Sequence, residues 1–252
     1  IFILTTTALS LLRMLVVMTQ MVVGIGQPRA QELDLTEAER NWITKHPVIR
    51  VHNELDWPPF NFNVDGEPTG FSIDYMNRVG EVAGLEVDYI IGPSWSEFIQ
   101  LMEQGGLDVI LNITPTPERE ELMGFTDSYL DTAIAVFTRE GTEFINSVEG
   151  LHGRRLAVVQ GLFAEEELAR DHPEIELVPV QNTLEALYAV LEGRVEAAID
   201  TLAVIDYTRR EQVLTGLELA FIYRENTEAT QNAIGVRKDW PVLLSILQKT
   251  MD

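Results

Sequence analysis

Asp108-Val-Ile-Leu-Asn112-Ile-Thr114-Pro-Thr116-Pro117-Glu-Arg119 decides the fold, because its backbone preference changes twice along its length. Residues 108–111 read as a buried strand, apolar after the first position. Pro115 and Pro117 cannot donate to a ladder, so the strand must give way to a turn. Thr116 followed by Pro117 is a helix start, with a hydroxyl to cap the first N–H groups and a proline where no donor is needed. The helix is predicted over 117–123. A buried strand feeding a helix through a short turn is the unit of an α/β sheet, whose ligands bind beyond the carboxyl ends of its strands.

The same alternation extends in both directions. Upstream, 48–51 is a strand, and Pro58-Pro59 interrupts any continuation of it. Ile73, Met76, Val79, Val82 and Ala83 recur at helical spacing up to Gly84; 87–91 is a strand; Ser94-Trp-Ser-Glu97 is a capping box, and its helix ends at Gly105-Gly106. Downstream, strands are predicted at 133–137, 156–159, 175–180, 197–199 and 232–236, with helices over 163–170, from Thr183 as cap, and from Pro241. The expected fold class is α/β, with two lobes around a crevice, each a mostly parallel sheet flanked by helices. Residues 47–138 plus 229–252 form the first lobe and 139–228 the second, after a lead-in helix within 31–46.

Composition narrows the function classes. The 252 residues include no cysteine, which removes disulfides, thiol nucleophiles and cysteine-based zinc sites. Forty acidic against 18 basic residues give a net charge of −22, which repels nucleic acid. Residues 1–26 carry a single charge, Arg13, ahead of a mostly apolar run, so 1–30 are expected to be a signal peptide or a membrane anchor that delivers the rest across a membrane. Both termini read as cut from a longer chain. No Ser-centred elbow, HExxH, phosphate-cradling loop or dinucleotide fingerprint is present, and the four histidines are scattered, so no catalytic set, metal site or cofactor is expected.

The dense polar constellation is Asn112, Thr114, Thr116 and Arg119. A helix N-terminus facing the crevice suits an anion, Thr114 offers a hydroxyl, and Arg119 offers a planar fork that matches a carboxylate. Spacing alone leaves Arg119 equally suited to a solvated helix face among Glu118, Glu120 and Glu121.

Thr114 to Arg119 followed by Phe125-Thr126, together with Ile49-Arg-Val51 leading to Trp57-Pro-Pro-Phe60, Gly70-Phe71-Ser-Ile-Asp74-Tyr75, Leu107-Asp108-Val109, Val158-Val-Gln-Gly161 and Gly193-Arg-Val-Glu-Ala197, resembles the family 3 periplasmic solute-binding proteins. The resemblance runs from about residue 47 to 252 and implies the type II Venus-flytrap fold. It implies that Arg119 and Thr114, with Asn112 beside them, hold a ligand carboxylate. Glu54, Trp57 and Trp95 would form the first-lobe wall, and Leu162 and Phe163 the second-lobe loop. For the two tryptophans, ordinary core packing is the competing reading.

The family's ammonium-holding aspartate corresponds to Thr201, with Asp200 one residue earlier, where strand alternation sends it to the opposite face. Leu162-Phe163 stands where serine or threonine would add donors. The expected ligand is therefore a small carboxylate, an amino acid foremost. The phrase Leu35-Thr-Glu-Ala-Glu39-Arg-Asn-Trp42 through His46-Pro47 resembles the lead-in of flytrap domains from membrane sensor kinases. That implies a membrane-embedded kinase as partner, with an ABC permease as the alternative and a flytrap-fold enzyme such as a dehydratase third.

Overall fold

Thr36 and Glu39 cap the first described helix reciprocally: the Thr36 hydroxyl accepts from the Glu39 amide, and the Glu39 carboxylate accepts from the Thr36 amide. The computed structural model describes residues 33–143, 145–223 and 231–251, so the expectations for 1–30 lie outside it. Leu35–Asp252 forms one compact unit. Its first half runs α1 (Glu37–Lys45), β1 (Val48–Asn53), β2 (Asp56–Trp57), β3 (Asn61–Val64), β4 (Glu67–Thr69), α2 (Phe71–Ala83), β5 (Glu86–Ile91), α3 (Trp95–Glu103), β6 (Val109–Ile113), α4 (Pro117–Glu120), β7 (Met123–Phe125) and β8 (Leu130–Asp131). Then follow β9 (Ile134–Arg139), β10 (Arg155–Val159), α5 (Phe163–Asp171), β11 (Glu176–Val180), α6 (Thr183–Leu191), β12 (Ala197–Thr201), α7 (Leu202–Glu211), β13 (Leu217–Tyr223), β14 (Gln231–Arg237) and α8 (Pro241–Met251).

Two sheets carry the lobes. In the first, ordered β5-β1-β6-β14-β7, β1 runs parallel to β5 and β6, whereas β14 is antiparallel to β6, β7 and β8. In the second, ordered β11-β10-β12-β9-β13, β10 is parallel to β11 and β12, and β9 is antiparallel to β12 and β13. The sheets are thus mixed rather than mostly parallel. A helical crossover returns the chain in its original direction, but a strand that crosses between lobes enters its sheet from the hinge side and runs the opposite way. β9 is such a strand. It belongs to the second sheet, which moves the first crossover ahead of residue 134 instead of 138.

Three further differences have local causes. The helix expected over 117–123 stops at Glu120, because Met123 and Gly124 pair with Arg237 and Val236 of β14. Asn182, not Thr183, caps α6, accepting from the Glu185 amide, which leaves the Thr183 hydroxyl free to donate elsewhere. The small β2-β3-β4 sheet, α7 and β13 had no clear signal in the sequence.

Each lobe has its own apolar centre, around Phe98, Ile110 and Ile113 in the first and Val136, Leu156 and Ile199 in the second. Burial of such a side chain stabilises by roughly 1.5–3 kcal/mol. One buried charge braces the first lobe: Asp108 accepts from Arg50 Nη2 at 2.6 Å and from Arg237 Nη1 at 3.2 Å, tying β1 to the end of β14. Glu39 on α1 accepts from Ser245 and Lys249 of α8 at 2.7 and 2.9 Å, so the lead-in helix docks on the last one.

Candidate functional site

β6 ends at Ile113 in the crevice, and the chain beyond it is shaped by its prolines and by Asn112, whose φ of 56° is one that asparagine tolerates better than most residues. The Asn112 amide donates to Ser72 Oγ at 2.6 Å and to Tyr129 OH at 2.9 Å, while its Oδ1 is buried without a partner. Thr116 Oγ1 accepts from the Arg119 amide, folding one helical turn. That single turn replaces the longer helix dipole expected here, so the guanidinium itself must carry the anion chemistry. Arg119 is only 7% exposed, a deep position for a group that never sheds its charge. It donates through Nη1 to the Thr114 carbonyl and through Nη2 to Glu166 Oε1 of the second lobe, both at 3.0 Å. Two of its five N–H groups are thereby engaged, leaving three.

All the predicted site residues except Glu54 line one cavity between the lobes. Trp57, Trp95, Asn112, Thr114 and Arg119 come from the first lobe, and Leu162, Phe163, Asp200 and Thr201 from the second. Its volume is about 60 Å³. Glu54 lines a neighbouring cavity of about 340 Å³, which shares Trp57, Trp95, Leu162 and Asp200 with the first. The hydroxyls of Thr114 and Thr201, residues 6% and 7% exposed, find no hydrogen-bond partner among the described residues. Trp57 Nε1 and Asn112 Oδ1, which line the same cavity, are fully buried and unpaired. Buried donors and acceptors are almost always satisfied in native proteins, so a concave site with several unsatisfied ones is built to receive a polar guest.

Asp200 and Thr201 both face the cleft, against the alternation expected of a strand. β12 ends at Thr201, and the backbone turns there into α7. Asp200 accepts from Thr183 Oγ1 at 2.5 Å and from the Thr201 amide at 2.6 Å. Burial pushes its carboxyl up to about 6, and the charges of Glu54 and Asp56 add to the rise. The lobes also meet where Gly161, at φ 78°, lies so close to Trp95 that a Cβ would stand 2.9 Å from its Cδ1.

His52 was not singled out by its sequence neighbourhood, yet it organises the first-lobe wall. It is fully buried, its Nδ1 accepts from the Leu111 amide at 2.9 Å, and its Nε2 therefore carries the ring hydrogen toward Glu54 Oε1 at 3.5 Å. Its ring meets Trp95 edge-on at 5.8 Å. The signal available was position, at the inward carboxyl end of β1.

The profile of the bacterial extracellular solute-binding proteins, family 3, matches residues 49–252. The chain belongs to that family. It is 24% identical over 214 residues to the virulence sensor protein BvgS of Bordetella pertussis, covering 84% of this chain and 17% of that protein. It is 29% identical over 182 residues to a probable amino-acid ABC transporter-binding protein of Haemophilus influenzae, covering 71% and 69%. A crystal structure of a histidine kinase sensor domain with similarity to periplasmic binding proteins superposes with a TM-score of 0.75 at 25% identity, covering 82% of this chain and 90% of that one. The fold is that of the Venus-flytrap binding proteins, and the domain is a solute-binding one. The chain spans about a sixth of the length of the sensor protein it matches. Among the described residues no helix is long and apolar enough to cross a membrane, and no group of side chains is arranged to hold a metal.

Proposed function

We propose that this domain captures a small carboxylate-bearing ligand, an amino acid foremost, by closing its two lobes in an extracytoplasmic compartment, as the sensory input of a signalling protein. The observation that carries the reading is Arg119, buried at the lobe junction with N–H groups to spare beside the unpaired Thr114 and Thr201 hydroxyls. A carboxylate seated there meets charge-assisted donors in a site with little water, the setting in which such bonds are strongest. Trp57 and Trp95 give the ligand's body apolar faces, and Asp200 is placed to accept from an amine. Because these groups come from both lobes, a ligand favours the closed state by its differential affinity.

A thermal-shift panel of amino acids, dicarboxylates and aromatic acids tests the ligand class. A ligand at a hundred times its Kd raises native stability by about 2.7 kcal/mol. Arg119→Ala is expected to lose ~2–5 kcal/mol of binding by calorimetry, the range for truncating one member of a buried charged pair. Unchanged affinity refutes the anchor. A second reading, the receptor of an ABC amino-acid importer, is favoured by the match to most of the length of the Haemophilus relative. The reading frame after Asp252 separates the two: a membrane span and kinase belong to the sensor, a prompt stop to the receptor.

A further inference from the structure

The larger of the two cavities is not accounted for by a carboxylate anchor. Glu54, Asp56, Glu97 and Asp200 line it, and among its described lining residues there is no lysine or arginine. Glu97 is spent on the α3 cap, accepting from the Ser94 amide and hydroxyl at 2.7 and 2.8 Å. Glu54 lies 3.5 Å from His52 Nε2, and Asp56 receives a hydrogen bond from Asn182 across the cleft. No ion pair to a lysine or arginine is formed by Glu54, Asp56 or Asp200 among the described residues. Like charges gathered beside one cavity raise each other's free energy, and both Asp56 and Asp200 are held above the ordinary carboxylate range, by burial first and by their acidic neighbours second.

Arg119 does not offset these acids, because its charge is already met by Glu166. The cleft as a whole is therefore strongly negative, within a chain of net charge −22. An anion without a compensating cation would enter against that field, and a ligand with a net positive charge would enter with it. The unpaired hydroxyls of Thr114 and Thr201 and the unpaired Trp57 Nε1, next to the shared wall, mark the same space as one that receives a polar guest. Among the described residues no group of three or more acidic, histidine or cysteine side chains is arranged to hold a metal ion, and the aromatic faces of Trp57 and Trp95 suit an organic ligand.

We propose that the cleft selects an amino acid whose side chain ends in an organic cation, an ammonium or guanidinium, lodged between Glu54 and Asp56 while the carboxylate sits on Arg119 and Thr114. This rests on the anchor reading above, with Asp200 at the junction taking the α-ammonium. Trp57 and Trp95, which line both cavities, would flank the aliphatic stem between the two ends.

Isothermal titration with L-arginine, L-lysine, L-ornithine, L-citrulline, L-glutamine, L-glutamate and agmatine tests it. Citrulline keeps the size and shape of arginine without the side-chain charge, and agmatine keeps the guanidinium without the carboxylate. At least one of arginine, lysine and ornithine is expected to bind ten-fold or more tightly than citrulline, glutamine and glutamate. The double substitution Glu54→Gln with Asp56→Asn, at partly exposed or rim positions, is expected to reduce that preference to three-fold or less with the melting temperature maintained. Citrulline or glutamine binding within three-fold of the best basic amino acid overturns the cation subsite and leaves the anchor standing. Agmatine binding as tightly as arginine overturns the anchor instead. Failure of all three basic amino acids to bind at millimolar concentration overturns the proposal.

Discussion

Replacing Asp200 by asparagine isolates the cost of one buried charge. The wild-type carboxyl is held at about 6 against an ordinary 3.8, with burial the main cause. A difference of about two units corresponds to roughly 3 kcal/mol at 1.36 kcal/mol per unit. Because the folded-state value is raised, the folded protein holds the proton more tightly than the unfolded chain does. The group therefore causes no loss of stability below about pH 4; stability falls as pH rises from about 4 to about 6 and levels off above that. Asparagine has the same shape, keeps an acceptor for the Thr201 amide, and can donate to a reoriented Thr183 hydroxyl. Urea denaturation of both proteins at pH 4.5, 6 and 7.5 is the assay, since the other carboxylates cancel in the difference. Asp200→Asn is expected to exceed wild type by about 1 kcal/mol at pH 4.5 and by ~2–3 kcal/mol at pH 7.5. A difference independent of pH, or a variant less stable at pH 7.5, refutes the reasoning.

Gly161→Ala places a Cβ 2.9 Å from Trp95 of the other lobe and forces a left-handed φ on alanine, at a cost of about 1 kcal/mol or more. Small-angle scattering should show a larger radius of gyration, and ligand affinity should fall several-fold; an unchanged radius would contradict the close approach. Glu166→Gln removes the charge that meets Arg119 across the cleft, but Glu166 is 49% exposed, so the loss in stability is expected within ~1 kcal/mol. The ligand-free lobes should open more readily, as read by hydrogen exchange at the Gly161 loop, and unaltered exchange would count against an interlobe tie. Asp108→Ala leaves Arg50 and Arg237 without their shared acceptor, though Arg237 keeps Asp239, and should cost about 1.5–3 kcal/mol in chemical denaturation. A loss below ~1 kcal/mol would mean that the two arginines find water or other partners instead.

Much of this fold is legible in the sequence. The strand at 48–53 and the elements over 71–113 follow the apolar spacing closely, and the Ser94 capping box forms as written. What failed was information that sequence does not carry locally. The 134–137 run announces a strand, but only pairing decides that its partners are β12 and β13. Met123 to Phe125 has helical company upstream and a strand's fate, because β14 is there to pair with it. The site shows the same division. Arg119, Thr114 and the tryptophans came from one motif and its resemblance, and the structure gathers them around one cavity. Asp200 faces the cleft together with Thr201, because strict alternation does not hold at the end of β12, where the chain turns into α7. His52 and Asp56 carry no motif; their positions depend on the ends of β1 and β2.

The docking of α1 against α8 has a mechanical consequence. Both are fastened to each other through Glu39, Ser245 and Lys249, so the first and last described helices are tied side by side on the first lobe. The second lobe is a cantilever with no chain end of its own. In the proposed closure, a swing of that lobe leaves the contacts between these two helices in place. A signal drawn from that closure would then be read at the moving lobe's surface and not as tension along the chain.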